Sequence, residues 1–227
     1  MKKLLSNMSV VVNRGVVLLF ILMLPSCAST RLINSWKNPE YAFFKPQKIL
    51  VVGVTPNYDA RKAFEFELIT HLNARNIIAL QSAVVFDSSF TDSKQTVKDI
   101  EAQVDALLAN GYDTVLVSAI KSVSANTSYG SESSKTDYHL RRFALYYLAY
   151  QEAYFKQDPP GSYKVVTVEA SFYHLNKAAT TSLIWQGSFD LVDPYHNKKA
   201  MEAYTKKLIK ILERDKIIPN KLQNKRL

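Results

Sequence analysis

The chain has one thiol, Cys27. A lone cysteine forms no intramolecular disulfide and no thiolate zinc cluster, so its possible chemistry is that of a single nucleophile or acyl acceptor. A second group with chemical potential is aromatic and basic. Phe143, Tyr146, Tyr147, Tyr150 and Tyr154 recur at helical spacing, with Arg141 and Arg142 beside them. Tyrosine and arginine anchor interfaces, so Tyr146, Tyr147, Tyr150, Arg141 and Arg142 are candidate partner-binding residues. The same spacing also describes an amphipathic helix or ribbon buried against a sheet, and both readings stay open. His71, His139, His174 and His196 never fall three or four residues apart, and there is no H-E-x-x-H, so no metal site is expected. Glycines 53, 111, 130, 161 and 187 are isolated and form no phosphate-cradling motif, so no nucleotide cofactor is expected. Serines are many, but no G-x-S-x-G elbow presents one as a nucleophile. A working pair of carboxylates stays open, because their separation is invisible in sequence. The expectation is a protein without catalytic residues, metal or cofactor.

The surroundings of Cys27 give it a role. Lys2, Lys3 and Arg14 form a basic start with no acidic residue, followed by an unbroken apolar run at 16–24, VVLLFILML. Those nine residues would rise about 14 Å as a helix, against a hydrocarbon core of about 30 Å, so a cleaved leader fits better than a resident span. The run ends in Leu24-Pro25-Ser26-Cys27, which resembles the lipobox of bacterial lipoproteins. The resemblance implies cleavage after residue 26 and acyl chains on the sulfur and nitrogen of Cys27, with Pro25 departing from the usual small or β-branched residue. A plain secretory leader with an incidental cysteine is the other reading. Two or three acyl chains anchor stably where one does not. Ala28, rather than Asp, follows the anchor and resembles an outer-membrane address. No acidic run resembling a surface-export signal follows, so the periplasmic face is expected.

Charge is concentrated at the two ends. The formal net charge is +9, of which the leader holds three, and residues 198–227 carry ten Lys/Arg against Glu202, Glu213 and Asp215. The body between is nearly neutral. A nucleic-acid binder needs basic residues spread over a folded surface, and none is expected here as a partner. The basic end reads as a solvated helix face, or as a contact for anionic headgroups, peptidoglycan or an acidic partner.

The elements that must hold these residues follow from hydrophobic periodicity. Residues 27–47 read as anchor and tether, with an edge strand within them at 32–36. Residues 49–54, ILVVGV, read as a strand buried on both faces. Asp59 is placed as the N-cap of a helix to about residue 75, with Phe64, Leu68 and Leu72 inward and Arg61–Glu65 as an i,i+4 pair. Residues 77–85 read as a second strand. Thr96 and Asp99 form a capping box before the stripe Val97, Ile100, Val104, Leu107 and Leu108, and Gly111 stands where a left-handed residue ends a helix. Residues 114–122 form a third strand, and the polar, Ser-rich stretch 126–137 an exposed loop. Residues 165–175 and 182–191 pair antiparallel, with Trp185 in the core and its N–H needing a partner. The last helix spans about 197–214, and residues 215–227 form a basic tail. The result is one α/β domain at 48–214, an α+β sandwich. Its mixed sheet has about five strands in the order β-α-β-α-β-(insert)-β-β-α, with the insert at 125–162 and helices packed on the sheet. Residues 1–26 are the leader.

The segment Ser35-Trp36-Lys37-Asn38-Pro39, the strand at 49–54, Arg61, Phe64-Glu65, Leu68, Leu72, Ala79 and Ser82 resemble a group of uncharacterised envelope lipoproteins. Their domain is similar to the LpoB, CsgG and TolB N-terminal type. The resemblance implies a non-catalytic interaction or assembly factor of the cell envelope, lipid-anchored to the outer membrane, with a protein partner. Two alternatives remain: an envelope hydrolase or glycan- or lipid-binding protein, and a subunit of a secretion or pore-forming ring. The resemblance carries over no catalytic residue; Arg61 and Glu65 read as structural.

Overall fold

The apolar run at 49–54 is the centre of β2 (Lys48–Val54), where Ile49 to Val52 are fully buried. Such a strand needs neighbours on both sides and a layer of side chains above and below. The computed structural model supplies both; it describes residues 30–55, 58–87, 90, 93–124, 142–151, 165–176, 183–192 and 198–221. Cys27, Arg141, Tyr154, the Ser-rich loop 126–137 and residues 222–227 lie outside them.

In chain order the elements are β1 (Thr30–Lys37), β2, α1 (Tyr58–Asn73), β3 (Ile78–Gln81), the single turn α2 (Ser82–Val85) and α3 (Val97–Ala109). They continue with β4 (Thr114–Ser124), α4 (Phe143–Tyr150), β5 (Val165–His174), β6 (Leu183–Val192) and α5 (Lys198–Arg214). The six strands form one mixed sheet in the order β1-β6-β5-β4-β2-β3. β2 runs parallel to β3 and β4, and the remaining pairs are antiparallel. The expected mixed α/β sheet with helices on it is present. Its sixth strand is β1, which covers the edge strand expected at 32–36 and pairs with β6 from Thr30 to Lys37.

Helices α1 and α5 pack together on one face, where Phe64, Leu68, Leu72, Leu208 and Leu212 join Ile49, Val51, Phe172, Trp185 and Phe189. Helices α3 and α4 cover part of the other face, where Ile100, Leu107, Tyr146 and Tyr147 meet Leu50, Val52, Val115 and Val117. Among the described residues no helix is long and apolar enough to cross a membrane.

Local chemistry sets the boundaries. Thr96 and Asp99 exchange the two hydrogen bonds of a capping box, and Gly111 takes φ 77° just past the end of α3, both as the sequence implied. Three expectations are corrected. Asp59 lies inside the first turn of α1, which starts at Tyr58, so it favours the helix through its charge near the N-terminus. The strand expected over 77–85 stops at Gln81, because the Ser82 N–H and hydroxyl both turn to Glu65 at 3.1 and 2.6 Å and the chain coils into α2. The fold also runs past Arg214 into the segment read as a tail: Lys216 takes φ 57°, and Ile217 and Ile218 are buried.

Candidate functional site

Three polar centres are built into the sheet, and each ties together elements distant in sequence. The first is Glu65. Helix α1 lies close on β2 because Gly53 has no side chain: a Cβ there would come within 3.2 Å of Arg61 Cγ and Phe64 Cδ1. Glu65 is fully buried, and Arg61 beside it is nearly so. The Glu65 carboxylate accepts hydrogen bonds from Gly53 N–H at 2.9 Å and from both donors of Ser82. Burial raises its carboxyl, while the Ser82 and Gly53 donors and the Arg61 charge pull it back down. The pair therefore does a structural job, linking α1, β2 and the β3–α2 corner.

The second centre is Asp215, which sequence reasoning passed over. Its Oδ2 accepts the Trp185 indole N–H at 2.8 Å and the Ser35 hydroxyl at 3.1 Å, and its Oδ1 accepts the Arg214 Nε–H at 2.7 Å. Lys37 donates to the Asp215 carbonyl at 3.1 Å. Burial works against this carboxylate, but Arg214, Trp185 and Ser35 together hold its carboxyl below the usual range. Asp215 is thus the partner that the buried Trp185 requires, and it locks edge strand β1 to the end of α5. The Trp185 ring lies over Gly187, where a Cβ would run into the indole carbons. Ser35 on β1 gave no hint of it, because its contact with Asp215 spans 180 residues.

The third centre is Glu169 on β5, on the face shared with α4. It is 2% exposed and its Oε2 meets Lys121 Nζ at 2.6 Å, while its Oε1 has no hydrogen-bond partner. The rings of Tyr146 and Tyr150 lie 4.6 Å apart, and Tyr146 and Tyr173 5.7 Å apart. Burial and then the Glu169 charge push the hydroxyls of Tyr146, Tyr150 and Tyr173 up, so all three stay protonated donors. The Tyr146 hydroxyl is itself buried, and the Ser171 hydroxyl beside it pulls it only partly back down.

This geometry answers where the tyrosine cluster sits. An exposed docking face needs these rings in solvent. Phe143, Tyr146 and Tyr147 are instead buried, and Tyr150 is half-buried. The helix FALYYLAY is apolar nearly all round, which buries it. Arg142 remains exposed and pairs with Glu101 on α3 at 3.4 Å.

One small cavity of about 50 Å³ opens between α1 and α5, walled by Val54, Ile120, Val166 and Met201 with Arg61 and Tyr204 beside them. Tyr204 and Ser118 share a 2.8 Å hydrogen bond there. The lining holds no carboxylate, so the pair of carboxylates that the sequence left open is not assembled there. Among the described residues no three His, Cys, Asp or Glu side chains come together to hold a metal. His174 packs against Tyr41 and Phe44, and its burial lowers its pKa.

No known family profile and no curated protein matches the chain. Solved structures similar to it include the PelC dodecamer from Paraburkholderia phytofirmans, at 11% identity and TM-score 0.40, covering 83% of this chain and 98% of that one. They also include lipoprotein GNA1162 from Neisseria meningitidis, at 16% identity and TM-score 0.34, covering 67% and 84%. These are distant similarities of outline. The functional reading rests on the chain's own residues.

Proposed function

We propose that this chain is a bacterial cell-envelope protein, anchored by acyl chains on Cys27 to the periplasmic face of the outer membrane, and that it works by binding other envelope components. The observation that carries the reading is the junction of leader and fold. The lipobox-like Leu24-Pro25-Ser26-Cys27 follows a nine-residue apolar run, and the sheet begins at Thr30, three residues after the cysteine. Three residues span at most about 11 Å, so an anchored domain would ride close to the headgroups. A binding role is supported by the chemistry of the buried polar groups. Glu65 and Asp215 are occupied in cross-linking the fold, and the apolar cavity offers no pair of carboxylates.

Fractionation of cells expressing Cys27→Ala tests the anchor. The wild-type chain should sediment with outer membrane and need detergent for release, and the variant should shed membrane association. A variant that stayed in the outer membrane to the same extent would contradict the proposal.

A further inference from the structure

Strands β5, β6 and β1 present two unlike faces. Toward α5 they place Phe172, Trp185, Ala170, Phe189 and Leu191 in the core. On the opposite face the strand register sets nine side chains in three cross-strand rows. The rows are Ser171–Gln186–Trp36, Glu169–Ser188–Asn34 and Thr167–Asp190–Arg31. Eight of the nine are polar. The apolar core on that side takes Leu183 from β6 and nothing from β1, so it stops short of the array. Trp36 is 41% exposed, Asn34 and Arg31 are exposed, Gln186, Ser188, Asp190 and Thr167 are half-buried, and Ser171 and Glu169 are buried at the inner end of their rows.

The chemistry of the array selects a ligand. Its charges balance: Glu169 is bonded to Lys121, and Arg31 stands opposite Asp190. A polyanion or polycation would therefore gain little there. A protein interface core is a contiguous apolar patch with few charges, whereas here one indole stands among amides and hydroxyls, with Ile33 bulged out of the register at the edge. Hydrogen bonds already order part of the array: Thr167 donates to Asp190 at 2.9 Å and Gln186 to Ser171 at 3.3 Å. At the α4 end lies the unpartnered Glu169 Oε1, a buried acceptor beside the half-exposed Lys121. An exposed indole offers a flat apolar plate, and a pyranose offers a flat C–H face ringed by hydroxyls. The accessible rows lie on β1 and β6, about 4.8 Å apart, and run about 15 Å along β1 from Arg31 to Trp36, room for more than one sugar ring along the strand.

We propose that this face binds a neutral glycan strand bearing hydroxyl and acetamido groups. Trp36 stacks on one sugar, and Asn34, Gln186 and Ser188 bond its substituents. The proposal deepens the envelope-binding reading by naming a ligand class, and it does not depend on the acylation of Cys27.

The chain contains two tryptophans, and they separate the test from its control. Trp36 is on the face; Trp185 is buried and bonded to Asp215. The full chain in detergent is titrated with the β-1,4-linked tetramer of N-acetylglucosamine while tryptophan emission is read. A saturable change is expected, with Trp36→Ala weakening binding about tenfold or more and Asn34→Ala and Gln186→Ala each by several-fold. Unchanged melting in all three variants, and unchanged Trp185 emission in Trp36→Ala, show that the fold is intact, and the heat of binding supplies the affinity where Trp36 is absent. The Cys27→Ser chain should bind equally, which separates this result from the fate of the anchor. No emission change up to about 10 mM tetramer, weaker than any specific site, overturns the proposal. So does a change that survives Trp36→Ala. Trp36 emission that varies with protein concentration in the absence of glycan also overturns it, because a second copy would then cover the face.

Discussion

Glu65 and Glu169 are both buried carboxylates, and they are treated in opposite ways. Glu65 accepts three hydrogen bonds from Gly53 and Ser82, with Arg61 alongside. Glu169 has one ion pair, to a lysine that is itself 37% exposed, and one oxygen with no partner. A saturated buried acid is a fastener, because every element that donates to it is held in place. Glu169 is as deeply buried but half-satisfied, so it ties fewer elements together. The comparison teaches that burial alone does not measure how firmly an acid fastens the fold, whereas the count of satisfied atoms does.

The largest effect should come from breaking the saturated site. Glu65→Ala strands the Ser82 and Gly53 donors and is expected to cost about 3–5 kcal/mol in denaturant unfolding, as for loss of one partner of a buried charged network. The same residue gives a pH signature. Because burial raises its folded pKa above the unfolded value, its ionisation opposes folding. Stability should be greatest below the ordinary carboxylate pKa and fall as pH climbs to the raised one; Glu65→Gln should flatten that slope. A smaller effect is expected at the other acid. Lys121→Ala should cost about 1–2 kcal/mol, discounted because the lysine is partly in solvent, and adding Glu169→Gln should restore part of the loss in a double-mutant cycle. A loss at Lys121 as large as that at Glu65 would erase the contrast. The smallest change is Tyr146→Phe. Its buried hydroxyl has only the Ser171 hydroxyl beside it, so deleting it should lower stability by no more than about 1 kcal/mol.

Patterns that are local in the chain could be read before the fold was known. The run at 49–54 marked β2, the Thr96–Asp99 box marked the start of α3, and the alternation at 165–175 marked β5. What escaped was set by partners far along the chain. Ser82 ends β3 because Glu65 takes both its donors. Asp215 looked like the start of a solvated tail, yet it caps Trp185 and Ser35. The tyrosines of α4 and the open array on β1 and β6 were hidden for a related reason. Helical spacing shows that Tyr146 and Tyr147 share an element, but only the sheet beneath decides that they are buried and that Trp36 is not. Glu169 carried one faint signal, an acid at the centre of an alternating strand.

The proposed anchor at Cys27 would join this folded unit to a membrane, and it is most directly tested by mass spectrometry of the N-terminal peptide from the native protein. The account predicts a chain that begins at Cys27 and carries the added mass of two or three acyl chains on its sulfur and nitrogen. A leader still attached, or a free thiol at that position, would contradict it.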